Sequence, residues 1–254
     1  MPNRDIFGVH NAYSSNSNQK LSNESPFLKK WSGVFNDFKE IEEVIIISGQ
    51  PSNHKNKSHF LINGLARAMS AKVRFQTNNK QTLITWIIFN DTSKEYGQDP
   101  KLLQAYKEKA KKLLINVIEV SNVNKIINYV NEKDGNDTRK KCLIAGLYYI
   151  GHATPGELRP GYQGDNDKDL DPSDFNSNAF TTAAYINLVG GCRTDVEDWF
   201  EDSVAKDFAE ILTEESKIYS SDVRVEYSGG IVNDEQLVKP NKGHIKERKG
   251  ELTP

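Results

Sequence analysis

The sequence predicts an α/β fold, a three-layer sandwich around a mostly parallel sheet of roughly six strands. Two observations carry this. Two apolar runs, Leu143 to Ile150 and Ala183 to Val189, are each closed by glycine. That is the pattern of strands buried on both faces of a parallel sheet. Along the rest of the chain, short β-type runs alternate with segments of helical periodicity, which places helices on both faces of the sheet.

Taken in order, Met1 to Pro26 is polar, rich in Ser and Asn and without sustained period, so it reads as an arm. Phe27 to Phe38 spaces its apolar residues near a helical period and can dock on the core. Val44-Ile45-Ile46-Ile47-Ser48-Gly49 is a central strand, and His59 to Ala71 a helix with Phe60, Leu61, Leu65 and Met69 on one side. Thr82 to Asn90 is the second strand. Asp99-Pro100 opens a helix through Leu114, with proline in the first turn where its missing N–H costs nothing. Ile115 to Val120 is a third strand, Val123 to Asn131 a helix, and Asn131 to Lys141 a charged turn. Prolines and glycines from Pro155 to Gly164 mark turns, and an acidic loop follows from Asp165 to Asp171. Asp198 to Leu212 is an amphipathic helix and Val223 to Gly230 the sixth strand-like segment. The predicted organisation is an N-terminal arm over 1–40, a domain over 41–238 and a polar, exposed tail over 239–254. No internal repeat is present.

Composition bounds the function. With 33 basic and 35 acidic residues in 254, the net charge of −2 argues for neither nucleic acid nor a membrane surface as partner. No apolar run reaches the length of a membrane span, and the first residues lack a secretory apolar segment. Two cysteines in separate segments make no disulfide framework. A cytoplasmic location, or export without a cleaved signal, fits these features. The many Asn and Lys residues fit an AT-rich bacterial genome.

The chemistry gathers just past the two long runs. The first leads into Gly151-His152-Ala153-Thr154-Pro155-Gly156, the second into Gly190-Gly191-Cys192-Arg193-Thr194. Ligands in open α/β sheets bind beyond the carboxyl ends of strands, so His152 and Cys192 meet there if the two strands are neighbours. A thiol with an imidazole in reach is a nucleophile with its base. The plain alternative for Cys192 is a small buried residue at a strand end. Its glycine pair and the matching His152 turn favour the nucleophile. Cys142 opens its strand at the far end and reads as structural. Oxyanion donors are expected from the backbone at Gly191 and Cys192 and from the His152 turn at Ala153. Asp195, Asp165 and Asp167 are candidate substrate-binding acids that would favour a basic side chain before the cleaved bond. His10, His54, His59 and His244 have no metal-ligand context. The acidic loop lacks the glycine and glutamate of a calcium loop at Leu170 and Asn176. No metal or organic cofactor is called for.

An apolar run ending in His152 and a second ending in Cys192, in that order, resembles the caspase-like (clan CD) cysteine peptidases. The resemblance is strongest to the bacterial branches: toxin self-cleaving domains, clostripain-like and gingipain-like enzymes. Forty residues separate the pair here, against about 50 in caspases. Ala153 stands where the family has glycine, and the residues around Cys192 are not the caspase signature. The resemblance implies a caspase-like sandwich with adjacent His and Cys strands, and a peptidase of protein or peptide substrates. Cys192 would be its nucleophile and His152 its acid/base, working through a thioester. The alternatives are a non-catalytic caspase-like scaffold and a doubly wound small-molecule-binding domain.

Overall fold

Strand formation follows the β-branched runs, and the sheet they build is mostly parallel. The computed structural model describes residues 40–51, 58–75, 80–92, 97–133, 138–161, 169–196, 203–227, 238–239 and 245–252. The N-terminal arm, including Phe27 to Phe38, lies outside the described residues.

The chain runs β1 (Glu40–Ser48), α1 (His59–Arg74), β2 (Lys80–Phe89), α2 (Pro100–Lys112), β3 (Asn116–Val120), α3 (Val123–Glu132) and β4 (Leu143–Ile150). A short hairpin of β5 (His152–Thr154) and β6 (Glu157–Arg159) leads into β7 (Phe180–Gly190). Then come α4 (Val204–Ile211), β8 (Lys217–Ser221), a ribbon of β9 (Glu226–Tyr227) and β10 (Val238–Lys239), and β11 (Ile245–Lys249). Seven strands form the main sheet in the order β11-β8-β7-β4-β1-β2-β3, all parallel except β11.

Two layers of helix cover it. Successive residues of a strand point to opposite faces, and β1 shows the split. Val44 and Ile46 pack with Phe60, Leu61 and Leu65 of α1 and Leu103 of α2. Ile45 and Ile47 pack with Ile126 and Val130 of α3 and Phe208 of α4. Handedness explains the assignment. Crossovers β1-α1-β2 and β2-α2-β3 move one way along the sheet. From β3 the chain returns past β1 to β4 and continues to β7 and β8. Right-handed connections in the opposite direction put α3 and α4 on the other face.

Helix starts follow the side chains. The Asp99 carboxylate accepts from the N–H groups of Lys101 and Leu102 and so caps α2, with Pro100 next. Asn122 caps α3 through Lys125 N–H, and Ser203 caps α4 through Lys206 N–H.

Three expectations need correction. The sixth parallel strand is Lys217–Ser221, and among the described residues 223–227 only Glu226–Tyr227 forms a strand. The tail beyond residue 239 is not merely exposed, because Ile245–Lys249 pairs antiparallel with β8 and closes that edge. Among the described residues this brings the main sheet to seven strands. Of the expected helix from Asp198, the described part is Val204–Ile211.

Candidate active site

β4 and β7 are parallel neighbours, with Ile150 opposite Gly190. His152 and Cys192 each stand two residues past that pair, at the carboxyl edge. The turns are tied together directly, since Gly151 N–H donates to Gly190 O at 3.2 Å. A Cβ built on Gly191 would lie 2.8 Å from the Thr194 methyl, 3.2 Å from the Ala153 methyl and 3.3 Å from the Tyr149 ring, so glycine suits the close approach of the turns.

The Cys192 turn is built from its own chain and from the segment after β8. Gly191 N–H returns to Leu188 O at 2.8 Å, and Arg193 takes a left-handed conformation with φ 55. Arg193 N–H donates to Val223 O at 2.9 Å and Asp195 N–H to Ser221 O at 3.1 Å. The buried Thr194 hydroxyl donates to Leu188 O and accepts from Ser221 N–H at 3.0 Å. The half-buried thiol packs beside Val189, Val225 and Tyr219. Val225 N–H points at Sγ from 3.3 Å, and Val225 O lies 3.8 Å away.

His152 begins β5, opposite Arg159 of β6. Its ring meets Phe60 of α1 edge-on, with centroids 5.1 Å apart, and its Nε2 is out of reach of solvent. Burial lowers its pKa to about 4, so the imidazole is neutral at neutral pH. On the hairpin Arg159 bonds Glu157 at 2.7 Å, and it also reaches Asp169 at 3.1 Å.

The expected oxyanion donors divide. The Gly191 amide is already committed to Leu188 O, which removes it from that role. The Cys192 amide meets no acceptor among the described residues. Leu158 exchanges both of its backbone bonds with Leu170. Both groups of a strand residue point the same way in an antiparallel ladder. Ala153, opposite Leu158, therefore turns its N–H out of the hairpin.

Of the three expected acids, Asp195 is among the described residues. Asp195 is nearly buried, and its carboxylate is held by Arg248 of β11 at 2.6 Å. Asp165 and Asp167 lie outside the described residues, as do His10, His54 and His244. No cluster of three His, Cys, Asp or Glu side chains arranged for a metal occurs among the described residues.

A second crevice in this topology lies between β1 and β4, where the strand order reverses. Several bonds knit the described chain beside it. Gly49 N–H bonds Ile150 O at 2.8 Å, Gln50 N–H bonds Pro160 O at 2.6 Å, and Gln98 Nε2 donates to Gly49 O and Phe89 O.

Two groups were not legible in the sequence. Tyr149, inside the apolar run of β4, donates its hydroxyl to His152 O at 2.5 Å. Val225 reaches the thiol through its backbone, which leaves no side-chain signal. No described helix is long and apolar enough to cross a membrane. A scan against protein-family models and a search of curated proteins find no match to this chain.

Proposed function

We propose that the protein is a cysteine endopeptidase working through Cys192 and His152. The observation that carries this reading is the direct backbone tie between the two turns at the carboxyl ends of neighbouring parallel strands. The mostly parallel α/β sheet is compatible with the caspase-like fold that the His-then-Cys order resembles.

In the proposed reaction the neutral His152 imidazole takes the thiol proton as sulfur attacks the peptide carbonyl. The Val225 N–H steadies the developing thiolate, and the amides of Cys192 and Ala153 receive the oxyanion. The imidazolium returns its proton to the leaving amine nitrogen as the C–N bond breaks. Water, deprotonated by His152, then attacks the thioester and releases the carboxylic acid and the thiol. Substrates are proteins or peptides. Selection of a basic residue by Asp195 requires Arg248 to yield the carboxylate, so Asp165 and Asp167 are the better candidates for that contact.

One observation favours a second reading, a non-catalytic interaction scaffold. The thiol is half-buried and lies against the chain's own Val225. Digestion of an unbiased peptide library separates the two. The peptidase reading expects cleavage that Cys192→Ala abolishes and His152→Ala slows by about 10²–10⁴-fold, with circular dichroism unchanged. Cleavage that survives Cys192→Ala, or no cleavage by the wild-type chain at any pH between 5 and 9, would overturn it.

A further inference from the structure

His152 is held at three points that belong to three different elements. Its ring abuts Phe60 of α1, its backbone pairs with Arg159 of β6, and its carbonyl accepts the Tyr149 hydroxyl of β4 at 2.5 Å. The third contact stands apart. The Tyr149 side chain is fully buried on the α3 side of the sheet, among Leu147, Leu158 and Ile186. From there it supports the edge on which the His152 ring meets α1.

Tyr149 also touches the other turn. Built side chains at two glycines show how close it comes. A Cβ on Gly151 would sit 2.7 Å from the phenol oxygen, and one on Gly191 would sit 3.3 Å from the ring. One rigid aromatic therefore lies beneath both the residue before His152 and the residue before Cys192. A hydroxyl is not needed to fill a core of this kind, since phenylalanine fills the same volume without a polar atom to satisfy. The phenol oxygen has a specific partner, and that partner is the backbone of the proposed base.

We infer that Tyr149 is a positioning residue, fixing the His152 turn against the Cys192 turn so that imidazole and thiol stay in register. The inference rests on the Cys192/His152 reading and adds to it the group that holds the pair in place. A misplacement of about 1 Å costs on the order of 10²-fold in a proton-coupled step. A buried anchor that cannot drift is the kind of support such a pair needs.

The test uses iodoacetamide on the whole chain, so no substrate need be known. Alkylation forms the S–C bond of Cys192, expels iodide and passes the thiol proton to His152. Tyr149→Phe keeps the ring and removes the hydrogen bond. It should slow alkylation of Cys192 at pH 7 about tenfold, the scale of one hydrogen bond expressed fully in a rate. In a His152→Ala background the same substitution should change the rate less than twofold. Gly151→Ala, whose methyl displaces the phenol, should slow alkylation by an independent route. It too should lose its effect in the His152→Ala background.

A Tyr149→Phe chain that unfolds more easily yet alkylates Cys192 at the wild-type rate would overturn the inference alone. So would equal slowing with and without His152. Wild-type rates in His152→Ala would overturn the dyad reading, and this inference with it.

Discussion

Two cysteines of one chain meet opposite fates because of what surrounds each sulfur. Cys142 is fully buried at the start of β4, and burial pushes its thiol pKa up to about 11. The Lys133 ammonium, 3.9 Å from its sulfur, pulls in the other direction without prevailing. Cys192 is half-buried at the opposite end of the sheet, with an N–H aimed at its sulfur. Thiolate rather than thiol reacts with alkylating agents. In the native protein iodoacetamide should therefore modify Cys192 at least tenfold faster than Cys142 near pH 7, read by peptide mass mapping. In urea the two rates should converge. Equal labelling of both in the native state would remove Cys192 as nucleophile, because its environment would then confer nothing.

At the scale of elements, the amino end of the sheet is organised by one acid on β1. Glu43 is fully buried and bonds Lys133 at 2.8 Å, Arg139 at 2.7 Å and the Tyr129 hydroxyl at 2.7 Å, with Thr85 also donating to it. Burial alone would raise its pKa, but the two cations pull it down to about 2. Arg139 does more than pair. It donates to the carbonyls of Tyr129 and Val130 at the end of α3 and to Cys142 O at the start of β4. Glu43 thus joins β1, α3 and β4 through two guanidinium and ammonium contacts. Removing its charge leaves two cations buried without their counterion. Glu43→Gln should destabilise the protein by about 3–5 kcal/mol, measured by urea unfolding. A loss below about 1 kcal/mol would mean that the network contributes no stability. None of this was visible in the sequence, where Asn131 to Lys141 reads as a charged turn. Burial of a charge depends on partners far along the chain, and no local pattern reports it. What was legible followed from local period: β1 to β4, β7 and α1 to α3 come from apolar runs and caps. β11 escaped because Ile-Lys-Glu-Arg-Lys is an edge strand, and edges carry charge rather than an apolar pattern. The adjacency of the His152 and Cys192 turns was legible because each closes an apolar run at a glycine. Tyr149 was not, since one tyrosine in such a run looks like packing.

For the molecule as a whole, the two ends of the sheet should respond to acid in separate windows. At the carboxyl edge, burial holds His152 at a pKa of about 4, below the ordinary value near 6.5. Between these values the unfolded chain binds a proton that the folded chain does not, so stability rises with pH across this range. Conversely, acidification from about 6.5 to about 4 should cost up to about 3 kcal/mol, and further acidification should cost nothing more from this group. At the amino end, Glu43 has its pKa lowered to about 2. Its contribution is intact above about 4.5 and is lost as the pH falls toward its folded value. Unfolding free energy against pH should thus descend in two stages, the first from His152 and the second from Glu43. His152→Asn cannot take up a proton in this range. It should flatten the first stage while leaving the second, when urea midpoints are compared at pH 7, 5, 4 and 3. A variant curve parallel to the wild type between pH 7 and 4 would place the titrating group elsewhere. It would also mean that the imidazole is more exposed than its contact with Phe60 and its buried Nε2 imply. The base of the proposed dyad would then be a solvated histidine, with the carboxyl edge more open than the tied turns suggest.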